Sequence, residues 1–263
     1  MTQAISLTEQ SGRGVQWLVF DNQPRRNAMT LAMWQQAEQE IQQYQQDPLV
    51  KAVIMRGAGD QAFVSGADIS QFESQRNNAD AAKHYAKTSD RARAALSSFE
   101  KPLIAMVRGY CFGAGVDIAL RADIRIAGDD AVFCIPAARL GLAYGFDSVK
   151  LLAQLVGPSV AKDLLLSGCR LNAQEALRVG LVNRVYPAAQ LEAEVAAYGA
   201  TIAANAPLTM RSAKFSIDQV FTDAGQRDMP RVEQLIWDCF DSEDYKEGRL
   251  AFKEKRSPVF QGR

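Results

Sequence analysis

The chain has 263 residues, 48% of them hydrophobic and 23% charged, and its 30 Lys and Arg balance its 30 Asp and Glu. That composition suits one large globular domain, or one domain with an appendage. Zero formal charge argues against a nucleic-acid binder that relies on a broad basic surface, but it is compatible with a local basic pocket for one phosphorylated ligand.

The opening MTQAISLTEQSGRG lacks the apolar core of a signal peptide, and no later stretch approaches a membrane span. Residues 15–20, VQWLVF, read as a strand, and DNQPRRN follows as a polar loop. A helix runs from Thr30 to about Gln46, with Thr30 able to cap it and Leu31, Trp34, Ile41 and Tyr44 near one face. VKAVIMRG is the next strand, and GDQAFVSGADIS leaves it as a glycine-punctuated loop. Residues 71–88 read as a polar, irregular surface section containing His84, the only histidine; a Ser-His-Asp triad around a buried His is therefore not expected. RARAALSSFE reads as a helix, and PLIAMVRG and ADIRIAG as strands on either side of YCFGAGVDIALR.

The apolar runs are short and nearly continuous, as in strands buried on both faces, and they alternate with helices. An α/β architecture is expected. After about Pro187 the pattern becomes helical only, in four segments from AAQLEAEVAAYGATIAANAP to DYKEGRLAFKEKR, and a helical appendage that serves assembly is expected there. Cys111, Cys134, Cys169 and Cys239 form no CxxC pair, so neither a zinc site nor a disulfide framework is expected and the protein reads as reduced and cytoplasmic.

Two glycine motifs carry the chemistry. In FGAGVD, the backbone N–H of Ala114 opens a helix, where it lacks an intrahelical partner and the helix dipole favours negative charge. Its small neighbours let a ligand oxygen approach the peptide closely. In FVSGADIS, Ser65, Gly66 and Ala67 follow a strand in the same way. Two converging N–H groups would form an oxyanion hole, where losing one donor costs ~2.7–4 kcal/mol. Taken singly, either motif also suits tight strand–helix packing, and Asp117 also suits a helix cap.

Together with PRRNAM, AFVSGAD, GYCFGAGVDIALRADIRIAG, LGLAYG, LNAQEALRVGLVNRV and AFKEKRSPVF, in that order and over nearly the whole length, these motifs resemble the crotonase (enoyl-CoA hydratase/isomerase) superfamily. The resemblance implies an α/β spiral of repeated ββα units over residues 1–190, holding the active site. It also implies a helical region, residues 191–263, that forms trimers, two of which commonly stack into a hexamer. The implied partner is an acyl-CoA thioester, with CoA as part of the substrate and no metal or other resident cofactor; neither nucleic acid nor membrane is an expected partner. The thioester oxygen would meet the N–H groups of Ala67 and Ala114, the second of which stands where the family usually has glycine. CoA would lie along Ala28, Ser65, Ala67, Asp68 and Ile69, with Arg25 or Arg26 on its phosphates. Phe252 and Lys255 match positions that often reach CoA from a neighbouring subunit. Arg25, Arg26 and Lys255 also read as ordinary solvated charges.

The resemblance has one conspicuous departure. A typical hydratase of this superfamily uses two glutamates around one water; here the matching residues are Asp117, one methylene shorter, and Ala137 in FCIPAAR. Hydration needs a base for water and an acid for the α-carbon. Double-bond isomerisation usually depends on the carboxylate that Ala137 lacks. Tyr144 in LGLAYGFDS matches a tyrosine of the superfamily's methylmalonyl-CoA decarboxylases and could assist as a proton or hydrogen-bond donor, while Asp147 reads as a helix cap. Hydratase-like chemistry with Asp117 as acid/base is the leading expectation. Decarboxylation of a malonyl-type CoA and acyl-CoA binding with little catalysis are the alternatives. Residues 71–95 are expected to shape the acyl pocket.

Overall fold

In a computed structural model, described over residues 4–7, 14–68, 70 and 79–263, consecutive strands divide between two sheets. The larger sheet has the order β1-β2-β3-β5-β7-β10 and the smaller β4-β6-β8-β9. The larger sheet contains β1 (Ala4–Leu7), β2 (Val15–Asp21), β3 (Ala52–Gly57), β5 (Leu103–Val107), β7 (Ile124–Gly128) and β10 (Arg184–Tyr186). The smaller contains β4 (Ala62–Val64), β6 (Tyr110–Phe112), β8 (Val132–Cys134) and β9 (Arg170–Asn172). Each turn of the chain thus lays one strand in each sheet. Helices α1 (Leu31–Gln46), α2 (Ala79–Ser97), α3 (Ala114–Leu120) and α4 (Phe146–Ser167) lie between these strands, and the repeat is the expected ββα spiral. Pairing is parallel except at the edges, where β1 meets β2 and β8 meets β9 antiparallel.

The larger sheet is buried on both faces because its side chains alternate between two apolar layers. Leu18, Phe20, Val53 and Met55 join Met33, Trp34, Ala37 and Ile41 of α1 in one layer. Val15, Trp17, Val19 and Ile54 join Leu191, Val195 and Ala203 in the other, beneath α6 (Leu191–Ala203). Thr30 caps α1 as expected, its side chain accepting from the Met33 N–H at 3.2 Å. After the short α5 (Ala173–Arg178), α6 is followed by α7 (Pro207–Val220), α8 (Met229–Asp241) and α9 (Glu243–Glu254). No strand follows β10, and no helix among the described residues is long and apolar enough to cross a membrane.

Two local expectations need correction. Residues 79–88, read as irregular, belong to α2, whose buried Tyr85 and Ala92 fasten an otherwise polar stretch to the core; residues 71–78 lie outside the described ones. Asp147 does not cap α4: Gly145 occupies the cap position, and Asp147 stands exposed in the first turn.

Close packing of α3 onto the smaller sheet explains part of the FGAGVD motif. A Cβ on Gly115 would lie 2.1 Å from the Val64 carbonyl oxygen, so only glycine lets the helix approach β4. Gly115→Ala is expected to push α3 away from β4 at a cost of about 1–3 kcal/mol, the usual scale of overpacking. Thermal unfolding would record this as a melting temperature lower by several degrees.

Candidate active site

The polar loop before α1 braces the first glycine motif. Asn27 donates to the carbonyls of Ala58 at 2.9 Å and Ala62 at 2.8 Å, fixing PRRNA against β4. Ser65 then donates its N–H to the Arg26 carbonyl at 3.1 Å and its hydroxyl to the Arg25 carbonyl at 3.0 Å. Met29 donates to the Gly66 carbonyl at 2.8 Å and accepts from Asp68 N–H at 2.9 Å. This parallel bridge turns the intervening Ala67 N–H to the opposite side.

The second motif meets the first at this point. Gly113 ends β6 at φ 51°, a conformation that glycine adopts without strain, and Ala114 begins α3. A Cβ on Gly113 would lie 4.0 Å from Gly66 Cα, so the two turns touch. Neither the Ala67 nor the Ala114 N–H has a backbone acceptor among the described residues. Gly115 thus serves packing, and Gly113, whose own N–H donates to the Cys134 carbonyl at 2.9 Å, turns the chain at the start of α3, where the Ala114 N–H is without a backbone acceptor among the described residues.

One turn further along α3, Asp117 is 2% exposed and surrounded by donors. Its Oδ1 accepts from Arg121 Nη2 at 3.0 Å and from the Ser148 hydroxyl, and its Oδ2 accepts from Arg93 Nε. An ionised carboxylate offers about four acceptor positions, so one remains, on Oδ2. Burial works against the charge of Arg93, but Asp117 and then Asp90 outweigh it and raise its pKa. Tyr144 donates its hydroxyl to the Gly113 carbonyl at 3.1 Å, and that carbonyl also accepts from Asp117 N–H. Loss of hydration, followed by the charge of Asp117, holds the phenol well above its usual pKa. Ala137 lies in a short 3-10 turn and packs a methyl group against the core.

Ala114, Asp117, Tyr144, Arg93 and Ser148 line one groove of about 1480 Å³, which extends to Ile217 and Phe221 at the end of α7. Ala67, Ala28 and Ser65 are not in its wall but in the braced loop beside it. Arg25 and Arg26 are exposed there, and the Arg26 guanidinium stands 5.0 Å from the Tyr110 ring centroid. Asp68 is buried and accepts from the Ser70 hydroxyl at 2.6 Å, while Ile69 lies outside the described residues. Phe252 is 87% exposed on α9, and Lys255 caps that helix in the left-handed region; neither lines the groove. Of residues 71–95, Asp90, Arg93 and Ala94 do line it.

Sequence reasoning missed Arg93, Arg121 and Ser148. Arg121 had a detectable signal, since it follows Asp117 at i+4 on the same helix. Arg93 and Ser148 come from other helices and had none.

A family model described as enoyl-CoA hydratase/isomerase matches residues 10–263. A crotonyl-CoA hydratase of Syntrophomonas wolfei is 33% identical over 92% of this chain and 93% of its own. A carnitinyl-CoA dehydratase of Proteus mirabilis is 33% identical over 100% of both chains. The crystal structure of an enoyl-CoA hydratase/carnithine racemase from Magnetospirillum magneticum superposes with a TM-score of 0.90 at 32% identity, covering 95% of this chain and 93% of that one.

Proposed function

We propose a reaction from the premise that this chain belongs to the enoyl-CoA hydratase/isomerase family: hydratase-like addition of water to, or its loss from, an acyl-CoA thioester. The thioester oxygen sits between the N–H groups of Ala67 and Ala114. As the oxygen of water bonds to the β-carbon of a 2-enoyl group, the double-bond electrons move toward that thioester oxygen, and the two N–H groups stabilise the resulting enolate. Asp117 receives the proton released by the water and returns it to the α-carbon as the enolate collapses, so that the two hydrogens and the oxygen of one water are added and the carboxylate is restored. The observation that carries this reading is the single acceptor position left on Asp117 Oδ2, enough for one water, on a side chain one helical turn from the Ala114 donor. Tyr144 assists by holding the peptide that bears that donor.

CoA would run along Ala28, Ser65, Ala67, Asp68 and Ile69, with Arg25 or Arg26 on its phosphates as guanidinium groups favour. No resident metal or redox cofactor is required by this chemistry, because backbone donors do the polarising. Exposed apolar residues on the last helices, among them Ile217, Trp237 and Phe240, support assembly through residues 191–263. A homotrimer, or a hexamer of two trimers, would bring Phe252 and Lys255 to the CoA of a neighbouring copy. The setting would be the cytoplasm.

A second reading follows from Ala137. Decarboxylation of a malonyl-type CoA needs the N–H pair and one proton donor but no second carboxylate, and a methyl group is what stands there. Mass spectrometry after incubation with crotonyl-CoA separates the readings. Gain of one water is expected. Unchanged crotonyl-CoA with loss of CO2 from a malonyl-type ester would replace hydration by decarboxylation. Saturable binding without any product would make the chain an acyl-CoA-binding protein.

A further inference from the structure

At the Asp117 end of the groove, two guanidinium groups share one buried carboxylate. Arg93 and Arg121 share Asp117, and their side chains are 25%, 5% and 3% exposed respectively. Among the described residues, the other carboxylate paired with Arg93 is Asp90, whose side chain is 71% exposed and therefore screened by water. Screening of Asp90 by water leaves Arg93 able to attract a further negative group.

Arg93 is also built to hold such a group. Its guanidinium stands 4.9 Å from the ring centroid of the buried Trp34, whose indole N–H donates to the Tyr85 hydroxyl at 3.2 Å. Nε is used by Asp117, and Nη1 donates to the Ser89 hydroxyl and the Asp90 carboxylate at 2.9 Å each. Nη2 has no partner among the described residues, and Arg93 lines the groove. The guanidinium is thus fixed by stacking and by two of its nitrogens, with the third left to donate. Planar, oriented guanidinium groups bind carboxylates well. Asp117 lies three positions after Ala114, a helical rise of ~4.5 Å, so the carboxylate that Arg93 holds is one helical turn from the Ala114 N–H.

On the reading that the groove takes an acyl-CoA, we propose that Arg93 receives a carboxylate at the far end of a short acyl group, making the substrate class the mono-CoA thioesters of short dicarboxylic acids. Arg93 is then a specificity residue as well as a partner of Asp117.

The test compares two saturated ligands of equal length, glutaryl-CoA and pentanoyl-CoA, which cannot be hydrated. Calorimetric titration of the intact protein is expected to give a Kd about ten-fold or more lower for glutaryl-CoA. Arg93→Met is expected to bring the ratio near one, and Arg93→Lys, which keeps the charge but loses the fork, to leave an intermediate ratio. Each ratio is measured within one protein, so a general loss of stability cancels; if Arg93→Met does not fold, Arg93→Lys decides. Equal affinities in the unaltered protein would overturn the proposal. So would a preference that survives substitution of Arg93. Failure of the hydratase reading looks different: no water gained by pent-2-enoyl-CoA or by 4-carboxybut-2-enoyl-CoA, its counterpart ending in a carboxylate, with the preference for glutaryl-CoA intact.

Discussion

Replacing Ala114 by proline is expected to lower kcat/KM by on the order of a hundred- to a thousand-fold while leaving the fold in place. Ala114 is the first residue of α3, the helical position where proline is tolerated because its missing N–H had no intrahelical acceptor. The residue before it, Gly113 at φ 51° and ψ −107°, is a glycine in an extended conformation of mirror hand and accommodates a following proline ring. The substitution therefore removes one N–H and puts a methylene where the thioester oxygen should sit. Ala114→Ser, which keeps the N–H, is the control and should retain most activity. Steady-state kinetics and circular dichroism on both variants check the result. Full activity in Ala114→Pro would place the oxyanion elsewhere.

The second large effect is expected at Asp117, on two axes at once. Asp117→Asn removes the site's acid/base and should reduce turnover by about a hundred- to ten-thousand-fold. It also replaces one carboxylate oxygen by an NH2 group facing Arg93 or Arg121, so the buried Arg121 and the half-buried Arg93 lose their shared anion. Breaking a buried pair in this way costs roughly 3–5 kcal/mol, or on the order of ten degrees in melting temperature for a chain of this size. Parallel measurement of kcat and of thermal unfolding separates the two. Unchanged turnover would remove the catalytic role, and an unchanged melting temperature would remove the clamp. The same network explains why aspartate rather than glutamate stands here. Arg93, Arg121 and Ser148 already close around the shorter side chain, and an added methylene would have to displace one of them.

Legibility in the sequence followed the range of the interactions. Continuous apolar runs such as VQWLVF and PLIAMVRG marked β2 and β5 because strands buried on both faces need no alternation. Thr30 marked the start of α1 because a cap bond closes within three residues. Strands β4, β6, β8 and β9 have only three residues each, too few for any periodicity, and they exist because the spiral supplies their partners. Helix α2 begins with ADAAKHYAK, whose alanines and lysines are strong helix formers, so reading it as irregular gave too much weight to its polarity. In the site, Ala67 and Ala114 could be read because backbone donors at glycine turns are local features. The charge network could not: Arg93 lies 24 positions before Asp117 and Ser148 lies 31 after it.

The bond from Tyr144 to the Gly113 carbonyl has a consequence for how the site can be tuned. That carbonyl and the Ala114 N–H belong to one peptide group, so a hydroxyl donating at the oxygen draws electron density from the nitrogen and sharpens its N–H as a donor. The acidity of one amide in the helix turn is thereby set by a phenol in the segment 141–145, most of which is exposed. Sequence drift in that segment can adjust the amide's grip on an enolate the way a remote substituent adjusts the acidity of an aromatic acid, with no change to the amide that meets the oxygen.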